Sequence, residues 1–197
     1  VLGDSREAPK GKLPVWLEGE RTRADASAIL DYLERSRGKR MDAFLTVRQT
    51  AIATAVKAML EEQLYFVIVY QRWHEARNRD LYKSVFSELA RQLGIPHALQ
   101  GLIVPQIRKQ MLAALRGQGF GRHTPEEITA IGIRTLDAVA TLCTGPFFFG
   151  AEPSTLDATV YAFLESIRGA PFEGPLVEHL RADPKLMSYC DHMQRIF

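Results

Sequence analysis

Two features in the opening residues have the types and spacing that ligand chemistry needs. In "GKLPVW", Gly11 to Trp16, Pro14 stands between large apolar residues at the entrance of a strand. Proline donates nothing to a sheet ladder, so it occupies a strand's first position, an edge or a bulge. The peptide bond before it is also the one that is readily cis. A cis Leu13–Pro14 bond would turn the Leu13 N–H and C=O out of the ladder, where an extended peptide can pair with them as an added strand. One strand later, "RADASAIL" opens a helix behind Asp25. A helix N-terminus presents unpaired amides and the positive end of the macrodipole to a carboxylate, and the Asp25 carboxylate suits an ammonium. Together they suit the zwitterionic amino-acid end of a ligand. The alternative is an ordinary capped helix in which Asp25 serves only as N-cap.

The other candidates are weaker or structural. Tyr65, Phe66, Tyr70 and Trp73 either line an apolar pocket or fill a helical core. Five histidines, His74, His97, His123, His179 and His192, show no metal-ligand spacing, and Cys190 with His192 is too sparse a pair to hold an ion. The chain has no GxGxxG, no phosphate-binding loop and no GxSxG elbow. "GQGFGR" is glycine-rich but follows a helix, so it reads as loop. "PSTLD" fits a capping box, Ser154 with Asp157, whose role is folding.

The elements that must position these residues follow from periodicity and breakers. "LPVWL", "EGE" and "RTR" read as strand, turn, strand. Ala26, Ile29, Leu30 and Leu33 share one helical face, and Gly38 ends that helix. From Lys39 to Leu93 there is no Gly and no Pro, and Leu45, Ile52, Val56, Met59, Leu60 and Leu64 recur at helical spacing. "LYFVIVY", Leu64 to Tyr70, has β-favouring composition, but nothing punctuates it, so it reads as a buried helix. Further helices are expected over Asp80–Arg91 and Leu102–Arg116. Another is capped by Thr124, with Pro125 first and Glu126 and Glu127 in its first turn, and runs to about Thr144. A helix from Ser154 to Arg168 and two short ones split near Pro184 complete the chain.

The bulk properties exclude some classes. The chain has 197 residues, 46% hydrophobic and 24% charged, with 25 basic and 23 acidic side chains and a net charge of +2. No basic run stands out, so nothing supports a nucleic-acid partner. No apolar stretch approaches the ~20 residues of a membrane-spanning helix. Two cysteines, Cys143 and Cys190, are too few for a disulfide framework and point to a reducing, cytoplasmic setting. No secretory pattern opens the chain, which does not begin with Met.

Taken together, "PKGKLPVWLEGERTRADASAILDYLE" resembles the second half of the thioredoxin-like domain of glutathione S-transferases. "PSTLDATVYAFL" resembles the capping-box helix of that family's all-helical C-terminal domain. "GQGFGRHTPEEI" and "GPFFFGAEPSTLDA" look more specifically like the failed-axon-connections and metaxin-like branch. The resemblance implies an α+β, mostly helical fold. Residues 1–38 would be the C-terminal half of a glutathione-binding domain, and residues 42–197 the all-helical domain. It implies that Leu13, next to a cis Pro14, offers its backbone to the cysteinyl part of glutathione. Lys12 would lie near the glycyl end, and Asp25 with the amide of Ala26 would hold the γ-glutamyl end. Ala26 departs from the family's usual Ser, which removes a hydroxyl hydrogen bond of order 1–2 kcal/mol; Ser27 is adjacent but points elsewhere. The family's first strand, helix and second strand would precede Val1, and with them the Tyr, Ser or Cys that activates the thiol.

The function so implied is glutathione transfer to a small hydrophobic electrophile by a homodimer that uses no metal. Tyr65, Phe66, Arg72 and Trp73 are the expected lining of the electrophile pocket. The alternative is a non-catalytic, metaxin-like interaction module on the same fold. A third reading is a ligand-carrying helical protein with a vestigial sheet.

Overall fold

A computed structural model describes residues 8–9, 13–74, 78, 81, 85, 87–88, 90–91, 97–171 and 173–196. The helix expected over Asp80–Arg91 lies largely outside the described residues, as does Lys12. The chain divides into two compact units, Val1–Leu45 and Thr46–Phe197.

Among its described residues the first unit is a hairpin with one helix. β1 (Val15–Glu18) and β2 (Arg21–Ala24) pair antiparallel, Val15 opposite Ala24 and Glu18 opposite Arg21. Gly19 makes the reversal at φ +58°, a conformation that L side chains rarely adopt. α1 (Ala26–Arg37) then begins at Asp25 and stops at Gly38, whose φ of +64° and N–H bond to the Glu34 carbonyl form a left-handed cap. Tyr32 on α1 ties the helix to both strands. Its hydroxyl donates to Glu18 on β1, and its ring lies 3.7 Å beneath the Arg23 guanidinium from β2. The bond to Glu18 raises the Tyr32 pKa and keeps the phenol protonated as the donor.

The described elements of the second unit are all helices. α2 (Val47–Met59) starts at Thr46, which forms a capping box with Gln49. The residues before it, 41–45, are turns, so the Gly- and Pro-free stretch from Lys39 is not continuous helix. α2 passes through one wide π turn, Leu60–Leu64, into α3 (Tyr65–Trp73). "LYFVIVY" is therefore helical, and Val67, Ile68, Val69 and Tyr70 are all buried. Four consecutive buried positions cover every side of a helix, which is why the stretch shows no two-sided pattern. The π turn leaves the Glu62 carbonyl to accept from the Gln118 side chain at 3.4 Å, and Gln118 Oε1 in turn accepts from the Phe120 amide at 3.3 Å.

α4 (His97–Gln118) begins five residues before the expected start at Leu102 and runs through Pro105. Proline removes one backbone donor, and here it bends no boundary into the chain. "GQGFG" is not plain loop either: α4 takes in its first residues, Gly119 turns at φ +112°, and Phe120–Arg122 form a 3₁₀ turn. α5 (Pro125–Leu142) opens on a capping box between Thr124 and Glu127. α6 (Thr155–Arg168), α7 (Pro175–Ala182) and α8 (Pro184–Ile196) follow.

The core gathers Leu60, Leu64, Leu115, Leu136, Phe148, Leu164, Leu176 and Leu180, each essentially inaccessible to solvent. Each such side chain contributes about 1.5–3 kcal/mol by leaving water. Gly132 lets α5 approach its neighbours, since a Cβ there would come 2.8 Å from Leu176 and 2.9 Å from Val67.

A polar knot sits inside this core. Asp157, in the first turn of α6, is 1% exposed. Its Oδ2 accepts from the Ser154 amide at 2.8 Å and the Ser154 hydroxyl at 2.7 Å. Its Oδ1 accepts from the Phe148 amide at 2.7 Å and the Tyr189 hydroxyl at 2.9 Å. The expected capping box is present, and the same carboxylate also binds the preceding loop and α8. Burial and the neighbouring Asp157 push the Tyr189 pKa far up, so the phenol stays a donor. A second tie is Arg168, which donates to Glu165 on α6 and to Asp191 and Gln194 on α8 at 2.6–2.9 Å. Among the described residues no helix is long and apolar enough to cross a membrane.

Candidate functional site

The hairpin register brings the two sequence features of the first unit together. Because Val15 faces Ala24, the next positions outward on the two strands are Pro14 and Asp25. Leu13–Pro14 is cis. Leu13, Pro14, Asp25, Ala26 and Ser27 are all exposed, so the end of the hairpin and the start of α1 form one accessible surface.

Asp25 holds φ +87° and ψ +123°, the one non-glycine residue with positive φ among the described residues. Such a backbone costs of order 1–3 kcal/mol and persists where surrounding structure over-determines it, often at binding sites. Its Oδ1 accepts from the amides of Ser27 at 3.0 Å and Ala28 at 3.2 Å. Two of the amides that the sequence reading offers to a ligand carboxylate are thus held by the protein's own cap. The Ala26 amide precedes them and is not one of the two. What the surface presents to a ligand is a carboxylate, a helix start with its dipole, and the backbone of Leu13 across the hairpin end. That set favours an ammonium beside Asp25 and an extended peptide alongside Leu13.

The four aromatic and basic residues of the second unit do not converge. Tyr65 is 46% exposed, with Phe66 edge-on to it at 5.1 Å. Phe66 stacks on Phe120 at 5.8 Å. Phe120 lines a recess of about 380 Å³ with Met59, Gln63, Ile131, Arg134 and Thr135. Arg72 borders a different recess, of about 360 Å³, with Glu165, Ser166 and Gly169, and its guanidinium donates to the Ser166 carbonyl at 3.5 Å. Trp73 is 9% exposed and belongs to the hydrophobic core together with Tyr70. The first recess was not legible in the sequence. Its walls come from the end of α2, the π turn, the 3₁₀ turn and α5, segments far apart in the chain.

Cys143 and Cys190 are both free and buried. Burial pushes the Cys143 thiol pKa up, and that of Cys190 from 9.0 to about 11. Neither has the depressed pKa of a nucleophile. Both are expected to resist a disulfide thiol reagent in the native protein at pH 8 and to react at once in urea; rapid native labelling would contradict their burial. The native state holds these protons more tightly than the unfolded chain. The stability these protonated thiols contribute is therefore full below pH 9 and falls as pH rises from 9 toward 11. Cys190 alone accounts for about 1 kcal/mol at pH 10, readable as a lower urea midpoint. Among the described residues no group of three His, Cys, Asp or Glu side chains could hold a metal ion. His192 packs edge-on against Phe147 at 4.9 Å.

Comparison with known proteins matches two separate stretches of the chain. Residues 2–78 match the family model described as the glutathione S-transferase N-terminal domain. Residues 132–193 match the one described as the glutathione S-transferase, C-terminal domain. The isoprene-epoxide–glutathione S-transferase of Rhodococcus sp. (strain AD45) is 27% identical over 96% of this chain and 79% of its own length. Failed axon connections of Drosophila melanogaster is 32% identical over 80% of this chain and 39% of its own. Metaxin-1 of Sus scrofa is 27% identical over 78% of this chain and 50% of its own. This chain thus spans half or less of the length of the latter two. No solved structure matches it.

Proposed function

The chain belongs to the glutathione S-transferase family, and from that premise we propose that it binds glutathione and transfers it to a small hydrophobic electrophile. The observation that supports this reading is the hairpin register, in which Pro14 and Asp25 are the next positions beyond the Val15–Ala24 pair, both exposed. Glutathione is an extended tripeptide with an ammonium and a carboxylate at its γ-glutamyl end. In this reading its cysteinyl part pairs with the Leu13 backbone, and Lys12 attends the glycyl carboxylate. The γ-glutamyl ammonium faces Asp25, with its carboxylate toward the Ala26 amide and the start of α1. The thiol gives up its proton, and the thiolate sulfur attacks an electrophilic carbon. The S–C bond forms as the leaving group departs or, for an epoxide, as the ring C–O bond breaks and the oxygen takes a proton. The Rhodococcus relative, named for an isoprene epoxide, supports that electrophile class. Binding and orientation are the tasks assigned to the residues named here; thiol activation is assigned to none of them. The working form in this reading is a homodimer.

The test is retention of the full protein on immobilised glutathione together with a thiol-conjugation assay on an epoxide. Retention with turnover is the expected result.

A second reading has specific support. Ala26 lacks the hydroxyl that would strengthen the γ-glutamyl site, and Asp25 caps two neighbouring amides itself. Both weaken tripeptide binding and favour an interaction module of the kind that failed axon connections and metaxin-1 would represent. No retention and no conjugation by the full protein would decide for that reading.

A further inference from the structure

The end of α1 and the turn after it carry a charge pattern that glutathione binding does not use. Arg35, Arg37, Lys39 and Arg40 place four cations within six residues, and all four are exposed. Acids flank the run, which hides it in a sequence scan, but they do not neutralise it. Glu34 turns its Oε1 to the Met41 amide at 2.8 Å, and Asp42 is the single acid between residues 35 and 44. Among the described residues none of the four cationic side chains takes part in a hydrogen bond or ion pair. Arg35 and Arg37 suit the negative end of the α1 dipole. Lys39 and Arg40 lie beyond Gly38 and have no such role. The same short stretch exposes two large apolar side chains, Met41 at 55% and Phe44 at 44%. The whole chain carries only +2, so this concentration is local.

We propose that residues 35–44 form a docking surface for an anionic lipid membrane. The cations face the headgroup phosphates and carboxylates, and Met41 and Phe44 enter the boundary with the acyl chains. Charge complementarity alone would also admit a nucleic acid or an acidic protein. The two exposed apolar side chains beside the cations favour a lipid surface, because a headgroup layer has an apolar region directly beneath it. Each cation near such a surface is worth about fivefold in binding.

The experiment is co-sedimentation of the full protein with vesicles containing phosphatidylserine and with vesicles of phosphatidylcholine alone, at low and high salt. Binding to the anionic vesicles, lost in high salt, is expected. Arg35→Gln, Arg37→Gln, Lys39→Gln and Arg40→Gln should each weaken it about fivefold. A double Met41→Ser, Phe44→Ser variant should weaken it at constant charge. Circular dichroism and unchanged native-state thiol burial confirm that the variants fold. Equal binding to both vesicle types, wild-type binding by a variant carrying all four Gln changes, or capture by duplex DNA without vesicle binding would overturn the proposal. So would conversion of a dimer to a monomer by the Met41 and Phe44 changes, since the patch would then be a subunit contact. The outcome leaves the glutathione reading untouched, because none of these residues belongs to that site.

Discussion

Asp157→Ala is expected to lower the unfolding free energy by about 4 kcal/mol, among the largest effects a single substitution produces. The carboxylate accepts four hydrogen bonds in a site that is 1% exposed. Removing it orphans two buried backbone amides, Phe148 and Ser154, and leaves the Tyr189 hydroxyl only its longer bond to the Asp157 carbonyl at 3.3 Å. Hydrogen bonds to a charged group are each worth about 1.5–3 kcal/mol, and an unsatisfied buried donor adds its desolvation cost. The terms share one acceptor and do not add fully. Tyr189→Phe removes one donor and leaves nothing unpaired but a lone pair, so about 1 kcal/mol is expected there. Urea unfolding of the three proteins measures the contrast. A loss under about 1 kcal/mol for Asp157→Ala would mean that the knot contributes little to the native state. The effect should fall on the whole helical unit, since the carboxylate joins the loop at Phe148, the start of α6 and the face of α8.

The second large effect concerns affinity. In the proposed site Asp25 faces the γ-glutamyl ammonium, and it also caps α1. Asp25→Asn separates the two roles. Asparagine caps as well as aspartate, so stability should hold, while loss of the charged partner should weaken glutathione binding by about 10- to 100-fold, as read by calorimetry. Asp25→Gly tests the backbone. Glycine at an N-cap costs only a few tenths of a kcal/mol relative to the best caps. At φ +87° it would relieve strain of order 1–3 kcal/mol, so the variant should be as stable as the parent or more so. A protein that gains stability while losing ligand is the signature of a strained binding residue. Equal affinity in parent and Asp25→Asn would remove Asp25 from the site, and a destabilised Asp25→Gly would show the backbone to be unstrained.

Most of the helix boundaries were legible because they are set within one turn of chain. Asp25, Thr124 and Ser154 are caps whose partners lie two or three residues away, and Gly38 ends α1 through its own φ. Such signals need no tertiary information. The misjudged boundaries share a different cause. α4 starts at His97 and carries Pro105 in its interior, although its local sequence argues for a later start. The π turn at Leu60–Leu64 has no sequence mark and exposes a carbonyl that Gln118 satisfies from 56 residues away. The alignment of Pro14 with Asp25, one step beyond the last paired residues Val15 and Ala24, lies between these cases, since a tight turn transmits register over a few residues.

By itself the sequence determined most of the helical segments and their caps, down to the buried run Val67–Tyr70 within "LYFVIVY" and the reciprocal pair Ser154–Asp157. Interactions of short range along the chain decide those features, and their partners can be read in one window. Only the tertiary structure decided that Asp157 also holds Phe148 and Tyr189, that Trp73 belongs to the core while Tyr65 stays in solvent, and that Arg72 and Phe120 border separate recesses. Those outcomes depend on which helix faces meet. Apolar faces of equal strength can pack in more than one way until the whole bundle excludes water together.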